Sequence, residues 1–196
     1  MEFEDVVRRR RIVRHFKPDP IDPEALHRIL ELSRRAPSAG NTQGQNLVVV
    51  TDPEKRKAVG EICGEREQEG RFVHHWISEA PVQIIACTSE KAYRDRYAEP
   101  DKLLPDGSTI EWPVPYWYMD VGCTVMVLLL AVVNEGLAAG FTGTHRVQEL
   151  KDLLGIPEHV SPVGVIPIGY PNQDIPSPSL KRGRKPMDDF ARWERW

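Results

Sequence analysis

The sequence predicts one domain that combines helices with a small β-sheet, on three observations. Residues 47–50, 82–87 and 163–168 are apolar runs of strand length. The segments around them carry helix starts and apolar residues at helical spacing. A chain of 196 residues is of ordinary single-domain size and can bury a real core.

In chain order, residues 6–14 come first and hold Arg8, Arg9, Arg10, Arg11 and Arg14. On a helix or its fraying end several of these guanidinium groups point together, and they repel one another unless an anion sits among them. Arginine's planar fork matches phosphate, and each charge-assisted bond contributes about 1.5–3 kcal/mol, against about 0–1 for an exposed ion pair. A solvated basic helix end and an RNA-binding run are the alternatives.

Asp22-Pro23-Glu24 starts a helix with an N-cap, a proline at the first helical position and an acid at the positive end of the dipole. Leu26, Ile29, Leu30 and Ser33 then mark its core-facing stripe. Pro37 stops it. Residues 36–43, Ala-Pro-Ser-Ala-Gly-Asn-Thr-Gln, form an elbow leading into the first strand, rigid at Pro37 and permissive at Gly40. Ser38, Asn41, Thr42 and Gln43 offer donors and acceptors suited to the rim of a flat heteroaromatic ring. The plain alternative is a helix-to-strand turn whose Ser and Asn cap the backbone.

Asp52-Pro53 opens a helix to about residue 62, and residues 70–79 suggest another that carries His74 and His75. Adjacent histidines diverge on a helix and have no third ligand at metal spacing, so they read as surface or packing residues. Residues 82–87 are apolar but for Gln83, as expected of a central strand covered on both faces. From 89 to 115 the pattern dissolves into charges, Pro and Gly, the mark of a lid or a disordered excursion. Trp112, Tyr116 and Trp117 follow, with Tyr118, either to cover a bound substrate ring or to pack the loop onto the core or a partner subunit.

Asp120 can cap a helix over 121–133 that is apolar all round. So much apolar surface is covered more easily if a second copy supplies one face, which predicts a homodimer. Residues 136–144 form a small-residue turn that a ligand could approach closely. Val147, Leu150, Leu153 and Leu154 mark a further amphipathic helix, ended by Gly155 and Pro157. Pro167 predicts an edge or bulge in the last strand. The tail, 177–196, carries Lys181, Arg182, Arg184, Lys185, Trp193 and Trp196, a composition expected to dock rather than wave free.

With 26 basic and 29 acidic residues the net charge is -3, so no general field draws the chain to nucleic acid or an anionic membrane. Cys63, Cys87 and Cys123 are odd in number and far apart, which speaks against zinc and disulfides and for a reducing compartment. No signal-peptide pattern opens the chain, and the longest apolar run, 125–133, is too short to span a bilayer. The expectation is a soluble cytoplasmic protein without membrane or nucleic-acid partners.

Several short motifs, in order, resemble the flavin-dependent nitroreductase family: Arg10-Arg11-Ile12-Val13-Arg14 with Phe16, Ala36-Pro37-Ser38 with Asn41 and Gln43, Gly136-Leu137, Gly169-Tyr170-Pro171, and Arg182-Gly183-Arg184-Lys185-Pro186. The resemblance implies an α+β, three-layer fold with a central mixed β-sheet flanked by helices. It also implies an entwined homodimer in which residues 172–196 embrace the partner and extend its sheet, while 89–118 form the lid excursion of a single domain, 1–196. FMN would lie in the interface. Arg10, Arg14, Arg182 or Arg184 would hold its phosphate, beside Arg11 and Ile12. The family often has Ser at Ile12, which leaves the backbone there as the contact. Ser38, Asn41 and Gln43, with Pro37 and Ala39, would meet the ribityl chain or ring, some from the other subunit. Thr142 and Gly143 would bring a hydroxyl or backbone donor near flavin N5.

The function implied is an FMN-dependent oxidoreductase that takes hydride from NADH or NADPH and reduces a quinone, nitroaromatic or similar planar small molecule. Flavin supplies the chemistry, so no catalytic side chain or metal is assigned. The alternatives are a reductive dehalogenase resembling iodotyrosine deiodinases, a flavin-fragmenting enzyme of the dimethylbenzimidazole-synthase type, a non-catalytic flavin-binding protein and, apart from the resemblance, an RNA-binding module.

Overall fold

The computed structural model describes residues 1–65, 75–173, 175 and 177–196. Helix α1, Phe3–Arg9, precedes an extended stretch through Phe16. Helix α2, Pro23–Ser33, starts as its sequence dictates, with the Asp22 carboxylate accepting the Glu24 N–H at 3.0 Å. Strand β1 is Gln45–Val50, and α3, Pro53–Ile62, is capped by Asp52, which accepts from Lys55 N at 2.9 Å. Strand β2, Val82–Thr88, is buried at every position. Helix α4, Glu90–Tyr97, follows, then α5, Tyr116–Asn134, the two-residue strand β3, Ala138–Ala139, and α6, Val147–Leu154. Gly155 ends α6 in the left-handed conformation (φ 64°) that only glycine adopts without strain. Strand β4 is Ser161–Gly169, and the short α7, Met187–Phe190, lies in the tail.

The sheet order is β1-β2-β4-β3, and every pairing of these strands is antiparallel. Among the described residues its parallel component is a single bridge, Ile12 with Ala139. Alternation along β2 sends Ile85 and Cys87 to one face, with α3 and α6, and Ile84 and Ala86 to the other, with α2 and α5. Three layers result. Each fully buried isoleucine contributes about 1.5–3 kcal/mol, so β2 anchors both cores.

Four expectations change. Pro167 lies on β4, an interior strand, rather than at an edge. Its carbonyl accepts the Gly140 N–H at 2.9 Å, so its missing N–H falls on the same side and interrupts the pairing between Ala139 and the further bridge of Thr142 to Val165. The helix expected over 70–79 falls partly outside the described residues, as does His74, and the described part is a turn that buries Trp76 and Ile77. The excursion after residue 88 is not irregular throughout: it contains α4, capped by Ser89, which accepts from Ala92 N at 3.3 Å. The apolar helix begins at Tyr116, before Asp120, and at 19 residues is long and apolar enough to cross a membrane by length and composition. Here it packs against α2 and the sheet. One face of it stays uncovered in the single chain, where Tyr118, Met119, Gly122 and Met126 are exposed and Cys123 half-buried.

Candidate functional site

The elbow, 36–44, occupies the corner of the sheet where β1 begins. Gly40, Asn41 and Gln43 all have positive φ (62°, 53° and 52°). For Asn and Gln this conformation is costly, about 1–3 kcal/mol each, and persists only where surroundings enforce it. The enforcing groups come from α4 and α5. Asp120, buried, accepts from the Ala39 N–H at 2.8 Å and from the Tyr93 hydroxyl at 2.9 Å. Burial and this carboxylate push the Tyr93 hydroxyl's pKa up, keeping it protonated as the donor. Arg96 Nε donates to the Gly40 carbonyl at 3.1 Å. The Tyr97 ring packs so closely on Gly40 that a Cβ there would lie 2.8 Å from it, and Tyr93 does the same to Gly44 at 2.6 Å. Inside the elbow, the Thr42 hydroxyl donates to Ala39 O at 2.6 Å and Ser38 Oγ accepts from Gln43 N at 2.9 Å. These two hydroxyls perform the capping of the plain reading, whereas the Asn41 and Gln43 side chains remain exposed.

The arginine run lies at the other corner. Val13 N donates to Ala139 O at 3.0 Å, which lays residues 12–13 along β3. Alternation buries Val13 and leaves Arg10, Ile12 and Arg14 half-buried together, while Arg11 falls on the opposite side, exposed. Arg14 sits over the buried Trp76 ring, 5.6 Å from its centroid. Among the described residues, Arg10 and Arg11 have no side-chain ion pair or hydrogen bond. Thr142 bridges to Val165, and its N–H is committed to the Val165 carbonyl at 3.0 Å. Its hydroxyl donates to Gly143 O at 3.3 Å. Gly143 has open space where a side chain would be. The tail departs from this corner: Asn172 N donates to His15 O at 3.0 Å, and His15 Nδ1 lies 2.6 Å from Gln173 O.

Nearly the whole length of β4 and the whole width of the sheet separate the corners. At ~3.3 Å per residue and ~4.8 Å per strand this is on the order of 30 Å, more than one flavin mononucleotide reaches. The two corners therefore do not meet within one chain.

The model of the nitroreductase family matches residues 7–170. The chain belongs to this family of flavoprotein oxidoreductases. It is 26% identical over 202 residues to an iodotyrosine deiodinase of Nematostella vectensis, covering 96% of this chain and 74% of that one. It is 28% identical over 178 residues to a protein of Methanothermobacter thermautotrophicus described as an NADH dehydrogenase/NAD(P)H nitroreductase, covering 89% and 80%. The solved structure of B. megaterium NfrA2 shares the fold with a TM-score of 0.78 at 22% identity, over all of this chain and 76% of that one. An iodotyrosine deiodinase structure bound to FMN and 3-iodo-L-tyrosine gives 0.74 at 21%, over the full length of both.

Against the nitroreductase expectation, the structure groups Arg10, Arg14, Thr142 and Gly143 at one corner and Pro37, Ser38, Ala39, Asn41 and Gln43 at the other. Arg182 and Arg184 lie in an exposed tail, and their side chains make no ion pair or hydrogen bond among the described residues. Trp112 contacts Tyr97 (centroids 4.5 Å), Tyr116 (5.5 Å) and Trp117 (6.2 Å), an aromatic cluster seated on α4. Trp117 is buried, its carbonyl accepting from Thr88 Oγ1 at 3.0 Å, while Trp112 and Tyr116 are half-buried. The residues that position the elbow, Asp120, Tyr93 and Arg96, escape sequence reasoning. Their only traces are an aspartate opening an apolar run and a serine cap ahead of α4. Burial pushes the Cys63 and Cys87 thiols up to about 12 and about 11, so neither is a nucleophile near neutral pH.

Proposed function

We propose that the protein is an FMN-dependent oxidoreductase that carries electrons from NADH or NADPH to a quinone, nitroaromatic or similar planar acceptor. The observation that supports this reading is the placement of two residue groups at opposite corners of the sheet, which we read as complementary half-sites. One corner offers Arg14 beside Arg10 and Arg11, the latter two without a side-chain ion pair among the described residues, and the other offers outward amides on an enforced backbone, at a separation that two chains would bridge. A homodimer pairing the elbow of one copy with the arginine corner of the other supplies two complete sites. The exposed stripe on α5 and the exposed apolar side chains of the tail, from Leu180 to Trp196, are the surfaces such a pairing covers. We place the protein in the cytoplasm, where its free cysteines are stable.

The residues fit an FMN-sized anion with a polar ring. Arg10, Arg14 and Arg182 or Arg184 hold the phosphate by charge-assisted bonds, with Arg11 and the backbone of Ile12 beside them. Asn41 and Gln43, with Ser38, Pro37 and Ala39, meet the ribityl chain or ring rim. With the Thr142 N–H already bonded, the donor near N5 is the Thr142 hydroxyl or the Gly143 N–H. Trp112 and Tyr116 stack on the acceptor over a floor of Trp117, which favours planar substrates. When bound, the flavin supplies the redox chemistry, and the protein supplies orientation and charge.

The test is direct. Purified protein is yellow, and it bleaches anaerobically when NADH or NADPH is added. Colourless protein that takes up no added FMN would overturn the reading. The deiodinase similarity over 96% of the chain and the half-buried Thr142 hydroxyl favour one second reading, a reductive dehalogenase. That reading predicts no bleaching by NAD(P)H, and release of iodide from 3-iodotyrosine by the dithionite-reduced protein.

A further inference from the structure

We propose that Arg96 is a positioning residue that couples the acceptor-side loop, residues 98–112, to the flavin-side elbow, a role that rests on the function proposed above. Its guanidinium makes bonds in two directions. Nε donates to the Gly40 carbonyl at 3.1 Å, while Nη1 donates to Glu99 at 2.8 Å and to Asp101 at 2.7 Å, and Nη2 to Asp101 at 2.8 Å. The fork is planar and rigid, so a shift of Asp101 that carries the guanidinium with it moves Nε relative to Gly40.

The elbow feels this at a sensitive point. The Gly40 carbonyl belongs to the peptide unit between Gly40 and Asn41, and rotating that unit changes the φ of Asn41, which stands at 53° in the left-handed region. Arg96 therefore holds the plane that aims the Asn41 amide. Tyr97 repeats the connection by packing. One side of its ring lies against Gly40, and Trp112 stands edge-on with ring centroids 4.5 Å apart. The loop and the elbow thus share two adjacent residues of α4. Closing the loop over an acceptor sets the flavin contact, and loading the flavin orders the loop.

Asp101 is the place to test this, because it is exposed and touches neither the elbow nor the proposed flavin contacts. Hydrogen exchange of the flavin-free protein reads the coupling without any activity. Asp101→Asn is expected to speed amide exchange at residues 39–43 by about two- to fivefold, the scale of one exposed ion pair. Arg96→Lys, which keeps the charge but lacks the fork, should do the same, and Asp101→Glu should restore the wild-type rates. In the FMN-loaded protein, Asp101→Asn should also alter the visible circular dichroism of the flavin. Faster exchange confined to residues 98–112, with 39–43 unchanged in both variants, overturns the coupling. Because exchange is read without flavin, a protein that fails to bind FMN yet shows the coupled rates overturns the functional reading instead.

Discussion

The elbow and the arginine corner solve opposite problems. At the elbow the backbone is held in a costly conformation by groups from two helices: a buried carboxylate, a buried phenol, a guanidinium and an aromatic ring. At the arginine corner little is held. The Arg10 and Arg11 side chains make no ion pair or hydrogen bond among the described residues, and the cationic tail departs exposed. Shape is enforced by the chain itself at the first corner, whereas at the second, under the proposed function, charge waits for a ligand. Substitutions should therefore divide cleanly, with stability lost at the elbow and affinity lost at the arginines.

The largest effect is expected from Asp120→Ala, which strips the acceptor from two donors at the elbow. At about 1–3 kcal/mol per unsatisfied group, the loss is about 2–6 kcal/mol, or roughly 4–24 °C in Tm, measured by calorimetry on the flavin-free protein. An unchanged Tm would erase the contrast. Next comes Arg10→Ala, expected to weaken FMN about 10- to 150-fold by fluorescence titration, with the flavin-free Tm unmoved. A fall in Tm with unchanged affinity would make Arg10 part of the scaffold. Third, Met126→Lys places a cation on the exposed stripe of α5. Sedimentation should show monomer, and thiol labelling of the half-buried Cys123 should quicken about tenfold as the partner leaves. Equal labelling rates would locate the interface elsewhere. The smallest effect concerns pH. The Arg96 hydrogen bonds, opposed by desolvation and helped by the nearby positive charges, lower Asp101 from 3.8 to about 2. A lowered carboxylate stabilises the fold above its ordinary pKa and loses that contribution as pH falls through the folded value. Loop ordering should therefore hold above about pH 4 and fade towards pH 2, read by Trp112 fluorescence.

Sequence reasoning reached the elements whose signals are local. Asp22-Pro23 and Asp52-Pro53 announced α2 and α3, a run apolar but for Gln83 announced β2, and Gly155 ended α6 where it should. It missed α4, because Glu90–Tyr97 carries its helix signal in i,i+4 pairs, Glu90 with Arg94 and Lys91 with Asp95, rather than in an apolar stripe. It misjudged Asp120, whose carboxylate serves Ala39, 81 residues away, rather than the helix end beside it. At the candidate site, residue types suggest a chemistry, yet nothing in one dimension shows that Arg10 and Asn41 stand at opposite corners. That separation follows from β1 pairing with β2, and β2 with β4, which puts the elbow and the arginine run at opposite edges of the sheet.

The opposite placement of the corners has a genetic consequence. Under the proposed pairing, a chain disabled only at the elbow and a chain disabled only at the arginines are each inactive with their own kind. Mixed in one cell, they form heterodimers in which one interface collects both defects and the other collects none. Two null alleles would thus complement each other and restore a working centre, whereas two alleles damaged at the same corner would not.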